Sequence, residues 1–390
     1  MAGPSERSSS EELLAPARVP RRTRLWYAAA ALLLAGALGA GLGERFGGGH
    51  PGPAPASDPP RPAPAAAAGP VVRAARLPHV GAVQLYARAG SVVVALDFGA
   101  GRIRSTPVPA QQLTGPVTFG VTARGAFVRP PAGAPGFYVP DAGLARPLGG
   151  ALADATVLPA PYPDDVWTIG YGTNWAAALH LVGVLSGQWT GAALRVPRGI
   201  GPLVQHPMPD GSGYLLASTV HGSYDVRPDG AHRLPVDLAA GTVLASGGGR
   251  LLVATCAPRS ARACPARLLR LPGGHRLESL HRLTATAAQP AGVISPDGRT
   301  ALLYQADASG LPELRLLDLA TGRFRGAAIA VDPDVQPGAL AYTPDGRWAF
   351  AVSAGGRLTA IRVRTGAALR VDAGLPQVYQ LAVRAAPPSP

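Results

Sequence analysis

Residues Gly292–Gly326 read GVISPDGRTALLYQADASGLPELRLLDLATGRFRG. Short apolar runs in this stretch are separated by a Pro-Asp-Gly turn at 296–298 and a Thr-Gly turn at 321–322, a pattern that predicts consecutive antiparallel strands. Proline presets φ at one turn position, and glycine takes the positive φ that other residues resist. Glu313–Leu319 alternates charged and apolar residues, so one face of this strand is buried and the other is exposed to solvent or covered by a binding partner. The stretch predicts one four-stranded sheet.

The same unit recurs along the chain. Thr343–Arg347 repeats the turn Ser295–Arg299 at a spacing of 345 − 297 = 48 residues. Turn signals of this kind lie near positions 90, 125, 165, 211, 249, 298 and 346. A spacing of roughly 40–50 residues is typical of propeller blades, and each blade must stack on its neighbours to bury both faces. The sequence therefore predicts an all-β fold, a single seven-bladed β-propeller over residues 71–385.

Two of these units resemble a known repeat. Ser295–Arg299 with Leu317–Gly322 is similar to a WD40/TolB/YVTN-type propeller repeat, and Thr343–Val352 with Val363–Gly366 is the second good match. The chain has no Trp-Asp dipeptide, which strict WD40 repeats carry. The resemblance implies a binding or scaffolding platform and no particular reaction, since propellers host many functions.

An apolar run near the N-terminus predicts membrane attachment. Leu25–Leu42 carries no charge and would form a helix of roughly 27 Å, close to the ~30 Å of a bilayer core. We expect one transmembrane helix over residues 25–43. The arginines at 21, 22 and 24 place residues 1–24, a predicted disordered tail, in the cytoplasm. The alternative is a signal peptide cleaved near Ala37, which would give a secreted protein.

The following segment predicts a tether. Residues 44–70 are rich in Pro, Ala and Gly, a composition that disfavours helix and favours a disordered or polyproline II linker. At the other end, Gln377–Arg384 is a predicted strand without a blade of its own. We expect it to complete a sheet with N-terminal strands and so close the ring. Residues 386–390 are predicted to be a disordered C-terminus.

The chain has two cysteines, Cys256 and Cys264, at the ends of a predicted hairpin loop. Outside the cytoplasm a disulfide between them is the expected state. Two thiols without a neighbouring histidine provide too few ligands for a structural metal site.

Catalytic patterns are sparse in this sequence. All basic residues are arginine, which excludes Schiff-base chemistry and a P-loop because both need a lysine amine. The eight histidines are scattered, and neither zinc-helix spacing, a calcium loop nor a Gly-x-Ser-x-Gly elbow occurs. We predict no catalytic residue, metal site or cofactor. An active site could still arise in the central channel if histidines and acids from several blades converge there.

A first candidate surface is an aromatic loop in the third blade. Aromatic rings beside Asp and Asn can stack on sugars or peptides. Its candidate ligand-binding residues are Tyr162, Asp164, Asp165, Trp167, Tyr171, Asn174 and Trp175. In the competing interpretation, Trp167 and Tyr171 belong to the blade core and the loop only caps it.

A second candidate surface is basic. From residue 71 onward the chain carries 29 Arg and 18 acids, a net charge of 29 − 18 = +11. The charge is concentrated in the fifth blade at Arg259, Arg262, Arg267, Arg270 and Arg276. A basic exterior domain favours anionic partners such as lipid headgroups, wall polymers or acidic proteins. Solvated arginines on outer strands are the alternative.

These patterns indicate a single-pass membrane protein whose propeller lies outside the cytoplasm. We expect a non-catalytic binding or scaffolding module at the cell envelope, with a protein or anionic envelope polymer as partner and no nucleic acid, which lies in another compartment. A propeller enzyme of hydrolase or lyase type is one alternative, and an envelope sensor domain is another.

Overall fold

The computed structural model describes residues 71–73, 80–108, 117–130, 135–153, 155–171, 177–195, 208–254, 263–272, 275–284, 292–306, 311–331, 335–353 and 355–386. In these ranges the chain is all β apart from one short 3-10 turn at Gly150–Leu152. None of the described elements is a helix that could cross a membrane. The predicted tail (1–24), span (25–43) and linker (44–70) lie outside the described residues, so these assignments stay predictions.

The strands, numbered β1–β29 in chain order, form four-stranded antiparallel units. Sheet 1 contains β2 (Val83–Ala89), β3 (Val92–Asp97), β4 (Arg102–Pro107) and β29 (Gln380–Ala385), and sheet 2 contains β5 (Thr118–Thr122), β6 (Gly125–Arg129), β7 (Phe137–Pro140) and β8 (Arg146–Pro147). Sheet 3 contains β9 (Thr156–Pro159), β10 (Asp165–Tyr171), β11 (Ala177–Gly183) and β12 (Trp189–Arg195). Sheet 4 contains β13 (Met208–Pro209), β14 (Leu215–Thr219), β15 (Gly222–Arg227) and β16 (Gly230–Arg233).

The second half of the domain continues the pattern. Sheet 5 contains β17 (Thr242–Gly247), β18 (Arg250–Ala254), β19 (Ala263–Arg270) and β20 (His275–Thr284). Sheet 6 contains β21 (Gly292–Ile294), β22 (Thr300–Ala306), β23 (Pro312–Asp318) and β24 (Arg323–Ala330). Sheet 7 contains β25 (Val335–Tyr342), β26 (Trp348–Ser353), β27 (Leu358–Arg362) and β28 (Ala367–Asp372). One parallel bridge, Ser246 to Val293, joins sheets 5 and 6. β1 (Val71–Arg73) adds a fifth, parallel strand beside β28.

The hydrophobic core lies between the sheets. Successive side chains of a strand point to opposite faces, so Leu302 packs toward sheet 7 whereas Ala301 and Leu303 pack toward sheet 5. Each of seven buried clusters is shared by two consecutive sheets. The cluster between sheets 7 and 1 contains Phe350 stacked on Phe98 at 5.2 Å between ring centroids, so the last sheet packs on the first. The fold is a β-propeller.

Closure of the ring uses the last strand. β29 pairs antiparallel with β2, with Val383 opposite Leu85, so the prediction that Gln377–Arg384 completes an N-terminal sheet is confirmed. This pairing makes β4 the fourth strand of sheet 1. The turn near position 90 joins the second and third strands of sheet 1, because β29 supplies the first strand.

The Pro-Asp-Gly turns are built as the sequence predicts. Oδ1 of Asp297 accepts hydrogen bonds from the hydroxyl of Ser295 at 2.6 Å and from the amide of Arg299 at 3.0 Å. Partial burial opposes ionisation of Asp297, but these hydrogen bonds outweigh it and lower the pKa of the carboxyl group. The Asp297 carboxylate therefore stabilises the turn in which it lies.

The turns between the first and second strands of consecutive sheets touch one another. The amide of Ala123 donates to Asp164. A methyl group placed on Gly213, Gly211, Gly248 or Gly346 would lie within 4 Å of Pro161, Gly247, Gly298 or Pro296, respectively. In an antiparallel sheet the third-to-fourth turn lies at the same end as the first-to-second turn. We call this end of the ring the turn face, and we call the end with the second-to-third turns the opposite face.

Candidate anion-binding cleft

The predicted aromatic loop divides between core and surface. Trp167 on β10 is only 2% exposed, and its Nε1 donates to the carbonyl of Gly213 at 2.7 Å, which fits the core interpretation for this residue. Tyr162 is 55% exposed in the first turn of sheet 3. The Tyr171 side chain, Asn174 and Trp175 lie outside the described residues, and ligand binding by the loop stays a prediction.

The acidic pair of this loop has a structural partner. Oδ1 of Asp164 accepts a hydrogen bond from the amide of Ala123 in sheet 2 at 2.8 Å, so this carboxylate ties two neighbouring blades together. Burial, and then the negative charge of Asp164, raise the pKa of Asp165.

Part of the predicted basic surface in the fifth blade lies in the described chain. Arg267 and Arg270 are on β19 and Arg276 is on β20, with Arg270 opposite His275 in the sheet register. Arg259 and Arg262 lie outside the described residues. Cys264 is on β19, but Cys256 is not described, so the disulfide stays a prediction.

A cleft of about 560 Å³ opens between sheets 6 and 7 on the turn face. Strand ends and turns of both sheets supply its arginines. These are Arg299, Arg325, Arg347, Arg362 and Arg364. With the lining carboxylates Asp297 and Asp345, the ionisable lining has a net charge of 5 − 2 = +3.

Three of the five guanidinium groups have acidic partners. Arg325 donates to Oδ2 of Asp318 from Nε at 2.9 Å and from Nη2. Burial of Asp318 opposes ionisation, but the hydrogen bonds from Arg325 and from two backbone amides outweigh it and lower the pKa of this carboxyl group. The exposed pairs Arg299–Asp297, at 3.9 Å, and Arg347–Asp345, at 3.6 Å, are of the type that contributes little in water.

Arg362 and Arg364 are the two arginines of the cleft that remain available to bind an anion. Both are exposed, and neither forms an ion pair within the described chain. The guanidinium carbon of Arg362 lies 5.7 Å from the ring centroid of Trp348, a cation–π contact that orients the side chain without neutralising it. Guanidinium groups present paired N–H donors that fit phosphate and carboxylate oxygens. The cleft can therefore bind an anion.

The sequence analysis placed a basic surface in the fifth blade, which stays a prediction, and did not predict this cleft. A signal was present, because Arg299 and Arg347 follow the same Pro-Asp-Gly turn in two consecutive repeats. The Arg-Val-Arg segment 362–364 comes close to them only because sheets 6 and 7 pack side by side. Within the described ranges, no three His, Cys, Asp or Glu side chains come together as a metal site.

Neither a protein-family model nor a curated protein matches the chain. Solved structures do match at low identity. The dihydro-haem d1 dehydrogenase NirN aligns at 14% identity over 78% of this chain and 75% of its own, with a TM-score of 0.47. The Pseudomonas aeruginosa periplasmic gluconolactonase PpgL aligns at 14% identity over 78% and 99%, with a TM-score of 0.46. TolB from Acinetobacter baumannii aligns at 13% identity over 81% and 87%, with a TM-score of 0.38.

Proposed function

We propose that this protein is a non-catalytic binding module of the cell envelope, a seven-bladed propeller that binds an anionic partner in the arginine-lined cleft. Seven four-stranded units and seven buried clusters between them support the count of seven blades. The observation that carries the function is the pair of exposed guanidinium groups, Arg362 and Arg364, beside three further arginines in a cleft of about 560 Å³.

The expected partner carries phosphate or carboxylate groups, as anionic envelope polymers, acidic proteins and lipid headgroups do. Such a ligand would replace the weak exposed pairs of Arg299 and Arg347 with charge-assisted hydrogen bonds. Because both partners are charged and exposed, affinity should fall as ionic strength rises.

The binding test uses the full chain in neutral detergent micelles and fluorescently labelled polyphosphate as the probe. We expect salt-sensitive binding that weakens by about tenfold or more in the double variant Arg362→Glu/Arg364→Glu, since two favourable charge contacts become repulsive. Arg233→Glu, on the exposed end of β16 away from the turn face, is the matched control and should bind as wild type. Equal affinities for the double variant and wild type would overturn the proposal.

The proposed location rests on the apolar segment at 25–43. A retained span would hold the propeller outside the cytoplasm, at the outer face of the membrane. N-terminal sequencing of the protein from a membrane fraction tests this directly. An intact N-terminus supports the anchor, whereas a chain that begins close after Ala37 would show a cleaved, secreted protein.

A further inference from the structure

Large apolar side chains are exposed mainly on one face of the propeller. Five of the seven such residues in the described chain lie in or next to first or third turns, and so on the turn face. They are Ile103, Leu144, Tyr162, Leu185 and Trp189. Val220 and Leu311 lie at second turns, on the opposite face. The arginine-lined cleft opens on the turn face as well, so this face combines apolar and cationic groups.

Trp189 is the largest of these exposed groups. Its side chain is 62% exposed at the start of β12, and one face of the indole stacks on His180 at 4.4 Å between ring centroids. Indole and phenol rings with one apolar and one polar side are enriched where membrane meets water. Tyr162 and Leu185, in the first and third turns of the same sheet, extend this apolar surface.

We propose that the turn face docks on the anionic outer surface of the membrane, with lipid phosphate groups in the arginine-lined cleft and the apolar side chains at the headgroup boundary. This inference rests on the proposed anion binding and on the predicted anchor, and it names the ligand as a lipid headgroup. Basic and apolar groups together are the composition by which surface-bound proteins hold an anionic bilayer.

The test compares the full chain reconstituted in two kinds of lipid nanodisc, one of phosphatidylcholine alone and one in which part of it is replaced by phosphatidylglycerol. Hydrogen exchange is measured along the chain. We expect slower exchange in the anionic discs at the turns 142–145, 161–164, 184–188 and 363–366. The second turn at 220–221 should exchange at the same rate in both discs.

Two matched pairs of variants identify the contacts. Trp189→Ser and Arg362→Glu/Arg364→Glu should each remove most of the protection seen in anionic discs, whereas Val220→Ser and Arg233→Glu should leave it unchanged. All five side chains that these variants replace are exposed, so melting of the variants should match wild type.

The outcomes separate this inference from the proposed function. Equal exchange in both discs, or protection on the opposite face, would overturn membrane docking. If polyphosphate added to phosphatidylcholine discs slows exchange at 363–366 while anionic lipid does not, docking is wrong and the anion-binding function stands. If neither probe changes exchange at the cleft, both proposals fail.

Discussion

Nη2 of Arg384 on the last strand lies 2.6 Å from Oδ1 of Asp141 at the end of the second sheet. The same guanidinium donates to the side-chain oxygen of Gln84 and, at 2.5 Å, to the carbonyl of Thr122. The hydroxyl of Tyr86 also donates to Asp141, and burial followed by this hydrogen bond raises the pKa of the phenol. One side chain of β29 thus joins two neighbouring sheets.

Replacement of this arginine should loosen the closure. We expect Arg384→Ala to lower the free energy of unfolding by about 2 kcal/mol, because Asp141 and the Thr122 carbonyl lose a largely buried charged donor. Urea denaturation measures the change. Arg233→Ala, which removes an exposed arginine, is the control. A variant of Arg384 with wild-type stability would show that the network contributes nothing to closure.

Removal of the whole last strand should have a larger effect. A chain that ends at Tyr379 lacks β29, so β2 loses its antiparallel partner and the cluster between sheets 7 and 1 loses Leu381. We expect the cooperative melting transition to broaden or to disappear, since an open edge and an unclosed ring remain. A chain that ends at Ala386 keeps the strand and should melt as wild type does. Unchanged melting of the shorter chain would contradict closure by β29.

Two glycines at the same repeat position should differ in their tolerance of a side chain. Gly298 and Gly346 both have positive φ, at 70° and 67°. A methyl group on Gly298 would lie 2.9 Å from the carbonyl oxygen of Gly248, whereas on Gly346 its nearest neighbour is 3.8 Å away. Both alanine variants share the cost of positive φ, about 1 kcal/mol.

Only Gly298→Ala adds a steric clash between sheets 5 and 6, so we expect it to lower the free energy of unfolding by about 1 kcal/mol more than Gly346→Ala does. Parallel urea titrations of the two variants give this difference. Equal losses would mean that the first turns of sheets 5 and 6 are less closely packed than the structure describes.

A buried carboxyl group in sheet 4 should make stability depend on pH. Asp225 is fully buried, its Oδ2 accepts from Nε of Arg227 at 2.8 Å, and its Oδ1 has no hydrogen-bond partner within the described chain. Burial raises the pKa of Asp225, and the hydrogen bond from Arg227 opposes this only in part. Asp210 shares the same guanidinium at 3.1 Å.

The sign of the effect follows from the raised pKa. The folded protein holds the Asp225 proton more tightly than the unfolded chain does, so the contribution to stability is greatest below the unfolded pKa of about 4 and is lost as pH rises through the folded pKa. Asp225→Asn cannot titrate and should gain stability relative to wild type as pH rises. Asp229→Asn is the control with the opposite sign, because the hydrogen bond from His232 lowers the pKa of Asp229. A pH-independent difference between wild type and Asp225→Asn would contradict this.

The predicted disulfide has a chemical test. Thiol titration of the unfolded, unreduced protein should find no free thiol, because Cys256 and Cys264 are expected to be joined. Mutation of both to serine should lower stability by about 2.5 kcal/mol at most, since the closed loop is short. Two titratable thiols in protein purified from the membrane fraction would show that the cysteines are reduced.

The sequence alone determined the repeated sheet, because turn chemistry and strand alternation are local. Pro296, Asp297 and Gly298 specify their turn whatever packs around it. The spare strand near the C-terminus also predicted closure, since an unpaired edge must find a partner. The tertiary structure decided what depends on packing between distant strands. It assigned position 90 to a second turn and brought Arg362 and Arg364 beside Arg347 and Arg299. Such contacts join residues that are far apart in the chain, and no local pattern encodes which side chains meet when two sheets stack.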